Sequence, residues 1–187
     1  MPRLPLPTRE DLPPAAQLAY DHIGKTRTSI PPSILVLLHS PELARRVADL
    51  SDGVVNHSAL DEATRATIGL TVAREVGCYY SWQAQEALAK RVGVRTLVIE
   101  GIRAKTTRGM LPKESVFVDY AKQVFNRRVN DPTFAAIEHL MGRQGAVDLT
   151  VAIGYFIMMF SMIEAFGIPP TPGYEPPFAK DARQGNA

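Results

Sequence analysis

The sequence contains a single cysteine, Cys78, among its 187 residues. Disulfide formation and paired-thiol redox chemistry both need two sulfur atoms, so neither can take place within one chain. Charge of one sign is also lacking, because 21 lysine and arginine residues are balanced by 19 acidic residues, which leaves a formal charge of +2. Nucleic-acid-binding proteins usually concentrate positive charge, and we therefore do not expect a nucleic-acid partner.

Long hydrophobic runs are scarce. The most apolar stretch runs from Leu149 to Ile163, about 15 residues between Asp148 and Glu164, whereas a membrane-spanning helix needs roughly 20 residues. This length predicts a helix buried in a core or a subunit interface, and no membrane partner. The first residues contain prolines and early acids instead of the apolar core of a secretory signal. We therefore expect a cytoplasmic protein.

Metal-ligand patterns are also missing. The four histidines are His22, His39, His57 and His139, and none has a second histidine or a carboxylate at ligand spacing. The sequence therefore predicts no metal site, and we expect no cofactor. His57 precedes a motif described below, where it is a candidate base, but a surface histidine is the favoured interpretation.

Strand-like alternation of apolar and polar residues is absent, and helical spacing runs through nearly the whole body of the chain. The predicted fold is therefore all-α. Prolines concentrate in residues 1–14 and again from Ile168, and these two segments are predicted to be non-helical arms. The length favours one domain over residues 1–187, with its core at about 35–165.

Capping patterns predict where the helices begin. Ser40-Pro41 and Asp131-Pro132 each place a capping oxygen before a proline, so helices should start near 41 and near 132. A further helix should begin at Asp61 with one buried face and stop at Gly77. The complete set of predicted helical ranges is 14–23, 32–39, 41 onward, 61–76, 78–92, 95–104, 113–129, 132 onward and 146–166, with a loop at 104–113.

The most informative segment covers residues 60–94. Its ordered landmarks are Arg65, Val72-Ala73-Arg74, Gly77-Cys78, Tyr80, Trp82 and Gly93-Val94. This pattern resembles the carboxymuconolactone decarboxylase family, which includes the alkylhydroperoxidase D (AhpD) proteins, and weaker similarity extends over roughly residues 35–165. The resemblance implies an AhpD-like helical bundle that forms a homo-oligomer, a trimer or a hexamer.

In the peroxidase branch of that family, the resemblance implies a Cys-x-x-Cys pair, a histidine four residues after it and a glutamate twelve residues before it. Here only Cys78 is kept, and the other three positions are Ser81, Gln85 and Ala66. A thiol peroxidase needs a base and a resolving thiol, whereas serine and glutamine supply only hydrogen bonds. The thiol-dependent peroxidase activity that the resemblance alone suggests is therefore disfavoured.

The remaining residues still form a candidate site. Spacings of three and four place Cys78, Ser81 and Gln85 on one helical face, where we expect them to line a pocket. A cysteine at a helix start also has its thiolate favoured by exposed amide groups. The alternative is an inert buried cysteine. Tyr80 is a candidate proton donor, although packing is its more ordinary role.

Two functional hypotheses follow. The first is a lyase or decarboxylase for a small organic acid or lactone, in which Ser81 and Gln85 hold a substrate oxygen and Tyr80 delivers a proton. Arg74 and Glu75 are candidate binders of a carboxylated substrate, although charged helix positions are commonly solvated. The second is a non-catalytic oligomeric binding protein that kept the fold and lost the relay.

Overall fold

A computed structural model describes residues 2–25 and 27–180 of the chain. Within that part, eight α-helices and no β-strand are present, which confirms the all-α prediction. The helices are α1 (Pro14–Gly24), α2 (Pro32–Leu35), α3 (Pro41–Asn56), α4 (Glu62–Val76), α5 (Tyr79–Arg91), α6 (Thr96–Arg103), α7 (Pro112–Phe125) and α8 (Asp131–Phe166), with a short 3₁₀ turn at Val36–His39 after α2.

The predicted helix starts agree with the structure, but two of the predicted caps are wrong. Ser40 precedes α3 without a capping hydrogen bond from its side chain. At α8 the cap is Asn130, whose Oδ1 accepts from the Thr133 amide at 2.9 Å, while Asp131 is already helical. The prediction holds at α4, where Asp61 Oδ1 accepts from the Thr64 amide at 2.6 Å.

Two other predicted helix boundaries also differ from the structure. The structure ends α7 at Phe125 rather than near residue 129, and Arg127 just beyond it has a left-handed φ of 57°. The predicted helix at 146–166 is the later part of α8, which is interrupted at Gly142 with φ 69° and ψ 178°. Glycine tolerates this backbone conformation, which would strain other residues.

The described chain forms two compact units. The first runs through Ser58 and takes in Met162–Ile168, and the second runs from Ala59 to Ser161 and resumes at Pro169. In the first unit α1 packs against α3, and the N-terminal arm is held where Arg3 donates to the carbonyls of Ala165 and Phe166. The prediction of a single domain stays a prediction.

In the second unit, α4 is the central helix and packs against α5, α6 and α7. The sequence predicts one buried face, but every residue from 64 to 74 is buried. Its threonines are accommodated because the Thr67 and Thr71 hydroxyls donate to backbone carbonyls one turn earlier, both at 2.8 Å. Hydrogen bonds of this kind lower the cost of burying a polar side chain.

The apolar helix α8 buries one face and exposes another. By length and composition it is the described helix that could cross a membrane, and 44% of its most apolar window is buried. Val147 and Val151 are exposed to 60% and 47%, beside a groove of about 460 Å³ that Phe134 and Ala146 also line. A contiguous apolar face of this kind is typical of a protein interface, and we propose that copies of the chain meet there.

We expect light scattering of the wild-type protein to give a multiple of the 20.5 kDa protomer mass at micromolar concentration. Val151→Glu should shift it toward the protomer, because like charges facing each other across an interface cost several kcal/mol. Val55→Glu, at a similarly exposed valine of α3, is the matched control and should leave the mass unchanged. A monomeric wild type would contradict the proposal.

Candidate functional site

A tight turn between α4 and α5 positions the candidate site. Gly77 has a left-handed φ of 77°, as the glycine at this position predicts. The amides of Gly77 and Cys78 both donate to the Ala73 carbonyl, at 3.0 and 2.9 Å. These bonds satisfy carbonyl groups at the end of α4 and leave Cys78 as the N-cap residue of α5.

Cys78 is completely buried, and its thiol donates a hydrogen bond to Ser81 Oγ over 3.2 Å. Ser81 is buried as well, with 2% of its surface exposed. The cysteine lies at the start of a helix as predicted, but its side chain makes no capping hydrogen bond to the α5 amides. Ser81 therefore accepts a hydrogen bond from the thiol inside the protein.

Gln85 extends the same stripe of α5 and lies over Gly69 of α4. A Cβ atom built on Gly69 would come within 2.5 Å of Gln85 Oε1, so the glycine makes room for the amide. That oxygen is buried and has no hydrogen-bond partner within the described residues. An unsatisfied buried carbonyl costs about 1–3 kcal/mol. Gln85 Oε1 can therefore accept a hydrogen bond that no described residue supplies.

Ala66 and Ala73 lie on α4 one turn on either side of Gly69, and both are completely buried. The wall opposite the α5 stripe is therefore made of small residues. Cys78, Ser81 and Gln85 share one face of the helix pair, as predicted. Tyr80 is half-buried and lies two residues after Cys78, which is a rotation of roughly 200° around the α5 axis. Its predicted role as proton donor stays a prediction.

Five surface clefts in the described part of the chain have volumes between about 130 and 460 Å³, and none of them is lined by Cys78, Ser81 or Gln85. The predicted pocket at these residues therefore stays a prediction. The ring of His57 is largely exposed and pairs with Asp52 at 3.1 Å. This placement agrees with a surface histidine.

Arg74 is not solvated, contrary to the more ordinary interpretation of its position. Only 8% of its surface is exposed, and its Nε donates to the Arg103 carbonyl at 2.9 Å. Its guanidinium carbon lies 4.4 Å from the centre of the Phe178 ring. Glu75 is also paired, with Lys105 at 3.1 Å. Sequence reasoning missed Phe178, whose one signal was an aromatic residue at the end of a proline-rich arm.

Glu86 lies at the centre of a cluster of polar side chains next to this arm. Its carboxylate accepts from Trp82 Nε1 at 2.7 Å and Arg103 Nη2 at 2.9 Å, and it pairs with Lys90 at 2.7 Å. Burial raises the pKa of Glu86, but the hydrogen bonds from Lys90 and Trp82 outweigh it, and the pKa lies below its usual value. Burial and the nearby Glu86 carboxylate raise the pKa of Tyr174 in the arm.

Comparison with known proteins adds to this geometry. Residues 41–121 match the model of the carboxymuconolactone decarboxylase family. No curated protein sequence matches the chain significantly. The matched segment runs from the start of α3 through most of α7, and it contains the Gly77–Cys78 turn and all the residues of the candidate site.

Solved structures show the same fold. The AhpD-core, peroxidase-related protein from Ralstonia eutropha JMP134 has a TM-score of 0.74 at 20% identity, over 91% of this chain and 93% of that chain. A peroxidase-related protein from Silicibacter sp. TM1040 has a TM-score of 0.74 at 16% identity, over 92% and 93%. The debrominase Bmp8, as a cysteine-to-alanine variant with 2,3,4-tribromopyrrole, has a TM-score of 0.63 at 13% identity, over 82% and 84%.

The contact between Gly69 and Gln85 predicts strong coupling between the two positions. Gly69→Ala should gain up to about 1 kcal/mol of helix propensity in a Gln85→Ala background. In the wild type the new methyl group meets the Gln85 amide, and this overpacking should cancel or reverse the gain. Urea unfolding of the two single variants and the double variant measures the coupling free energy.

Gly53→Ala is the matched control, because Gly53 is helical in α3 and has open space where a Cβ would lie. It should gain a similar stability whether residue 85 is glutamine or alanine. Additive effects of Gly69→Ala and Gln85→Ala, within about 0.3–0.5 kcal/mol, would show that the amide does not occupy the space above Gly69.

Proposed function

We propose that this chain, of which residues 41–121 match the carboxymuconolactone decarboxylase family and whose fold is AhpD-like, is a lyase or decarboxylase that acts on a small organic acid or lactone. The proposed site is the cluster of Cys78, Ser81 and Gln85. One observation supports it above the others: Gln85 Oε1 is buried without a partner within the described residues, one helical turn along α5 from the serine that accepts a hydrogen bond from the Cys78 thiol. Buried polar atoms without partners are uncommon in folded proteins and often mark functional sites.

The chemistry of these three side chains suits an oxygen that gains negative charge. The Ser81 hydroxyl and Gln85 Nε2 are neutral donors, and in a buried site such donors stabilise a developing carboxylate or enolate more strongly than they do in water. The unpaired Gln85 Oε1 is an acceptor and would bind a protonated group of the substrate, such as the hydroxyl of an acid. The Cys78 thiol is hydrogen-bonded to Ser81 and is the titratable group of the cluster. We propose it as a proton donor, with Tyr80 as the second candidate.

The proteins with this fold give general support for small-molecule chemistry. One of them is called a debrominase and was crystallised with 2,3,4-tribromopyrrole, a small ring compound. We infer from this that a helical framework of this kind is compatible with a small-molecule substrate. The reaction and the substrate of the present chain rest on its own residues.

A second function is favoured by a different observation. The thiol and the serine are fully buried, and none of the described clefts reaches them. Such burial fits a non-catalytic oligomeric binding protein, in which Cys78 packs between two helices as a small apolar residue. A ligand screen separates the two functions, since only the first requires a small molecule to reach Gln85.

Thermal unfolding with small carboxylates, lactones and aldehydes tests the proposal. A ligand at about 100 times its Kd stabilises the native state by about 2.7 kcal/mol, which corresponds to a rise in Tm of about 5–10 °C for a chain of this size. Gln85→Met should abolish the rise, because methionine keeps the length of the side chain and removes the amide. A ligand that stabilises both proteins equally binds elsewhere, and a screen without any hit favours the second function.

We further predict that the wild-type protein does not reduce hydroperoxides with a dithiol at enzymatic rates. Ser81 cannot resolve an oxidised Cys78 as a disulfide, and the chain has no other cysteine. Ala66 and Gln85 cannot accept a proton, and loss of a general base costs about 10²- to 10⁴-fold. The rate of consumption of an organic hydroperoxide in the presence of a dithiol measures this activity.

The variants for this assay are Cys78→Ala and a triple variant that carries Ala66→Glu, Ser81→Cys and Gln85→His. Because Ala66 is completely buried, circular dichroism must first show that the triple variant is folded. Activity that appears only in the triple variant would show that the fold survives while the relay is missing. Robust wild-type turnover that disappears in Cys78→Ala would refute the prediction.

A further inference from the structure

Three side chains of the second unit enclose the ring of Phe178 in the C-terminal arm. The Arg74 guanidinium lies over its face at 4.4 Å, and the rings of Tyr79 and Trp82 meet it edge-on with centroids 5.2 and 5.1 Å away. We call Arg74, Tyr79 and Trp82 the ring box. A cation on one face and aromatic edges on two sides form an environment that selects a flat, electron-rich ring.

Two walls of the ring box, Trp82 and Arg74, make contacts that do not involve the arm, whereas the Tyr79 hydroxyl donates to the Phe178 carbonyl. Trp82 is held by its hydrogen bond to Glu86 and by Arg103, whose guanidinium lies 5.5 Å from its ring centre. Arg74 is held by its hydrogen bond to the Arg103 carbonyl. Since these contacts come from α4, α5 and α6, Arg74 and Trp82 should keep their places when Phe178 leaves.

The arm is attached by hydrogen bonds and ring contacts, which include Tyr174 at Glu86 and the Lys180 amine 4.9 Å from the centre of the Tyr79 ring. The Thr171 amide donates to Gln83 Oε1 at 3.0 Å, and the Phe178 carbonyl accepts from the Tyr79 hydroxyl at 2.8 Å. Between these points most arm residues are exposed, and Phe178 itself is only half-buried although Trp82 is fully buried. Segments with few buried contacts open at low free-energy cost.

We propose that the ring box is a binding site for a planar aromatic anion, and that Phe178 occupies it as an intramolecular competitor. The charge follows from Arg74, whose guanidinium lies over the ring, because Arg103 and Lys90 are ion-paired with Glu86 and Glu100. Binding requires no reaction at Cys78, so this site stands whether or not the proposed lyase activity does.

Benzoate is the probe, and cyclohexanecarboxylate, of equal charge but with a saturated ring, is the matched ligand. Removal of the competitor in Phe178→Ala should raise the apparent affinity for benzoate by about tenfold or more. Tyr79→Phe keeps the aromatic wall and removes one hydrogen bond to the arm, so it should raise the affinity by about fivefold. Cyclohexanecarboxylate should gain less in both variants, because it offers no π-face to Arg74.

Ligand-observed NMR measures the affinities, and the fluorescence of Trp82, the single tryptophan of the chain, reports whether the box is open. Phe125→Ala, at another half-buried phenylalanine, should change neither. A red-shifted emission in Phe178→Ala together with unchanged benzoate affinity would overturn the proposal, and so would an unshifted emission. If Phe178→Ala is unfolded, the affinity of Tyr79→Phe for benzoate is the test. An affinity equal to that of the wild type then overturns the proposal.

Discussion

The close approach of α4 and α5 is the constraint on which the second unit depends. Two features permit it: Gly77 turns the chain with a left-handed φ, and Gly69 leaves space for the Gln85 amide where any other residue would place a Cβ atom. Once these helices are in contact, Cys78 must lie at the N-cap of α5 and be buried against Ser81. The site therefore results from the packing of two helices, and its polar groups are buried between them.

The same constraint explains why α4 is buried on all sides without being strongly apolar. A helix that packs against three others needs small side chains more than large ones, and it must satisfy its own polar groups. Thr67 and Thr71 do so through their own backbone. Arg74 does so through the Arg103 carbonyl and the ring of Phe178. On the facing helix, the Gln85 oxygen is buried without a partner within the described residues, and for this reason we give it a functional role.

The sequence was most informative where a local rule determines the structure. Proline at position 41, the Asp61 cap and Gly77 each act within a few residues, and the structure has the predicted helix boundaries there. The spacing of Cys78, Ser81 and Gln85 likewise predicts a shared face. The caps at Ser40 and Asp131 failed because a cap depends on the rotamer that a side chain adopts, and Asn130 competes successfully for that role.

Rules that act within a few residues could not predict the long-range contacts. The burial of Arg74 depends on Phe178, which lies about a hundred residues later in a proline-rich arm, and no periodicity links the two positions. An arginine on a helix next to a glutamate is ordinarily solvated. Here the aromatic ring over its guanidinium and the carbonyl at its Nε replace water, so the arm changes the environment of a residue that sequence reasoning could only treat as exposed.

Trp82 connects the arm to the candidate site. On α5 it follows Cys78 by four residues and Tyr79 by three, so it belongs both to the face that carries the thiol and to the face that holds the arm. Its indole is completely buried although Phe178 beside it is only half-buried. Trp82 is therefore one helical turn from the buried thiol and in contact with the half-buried ring of the arm. We propose that the ring box can hold a ligand although the motif has lost its titrating relay, because its walls do not include the missing residues.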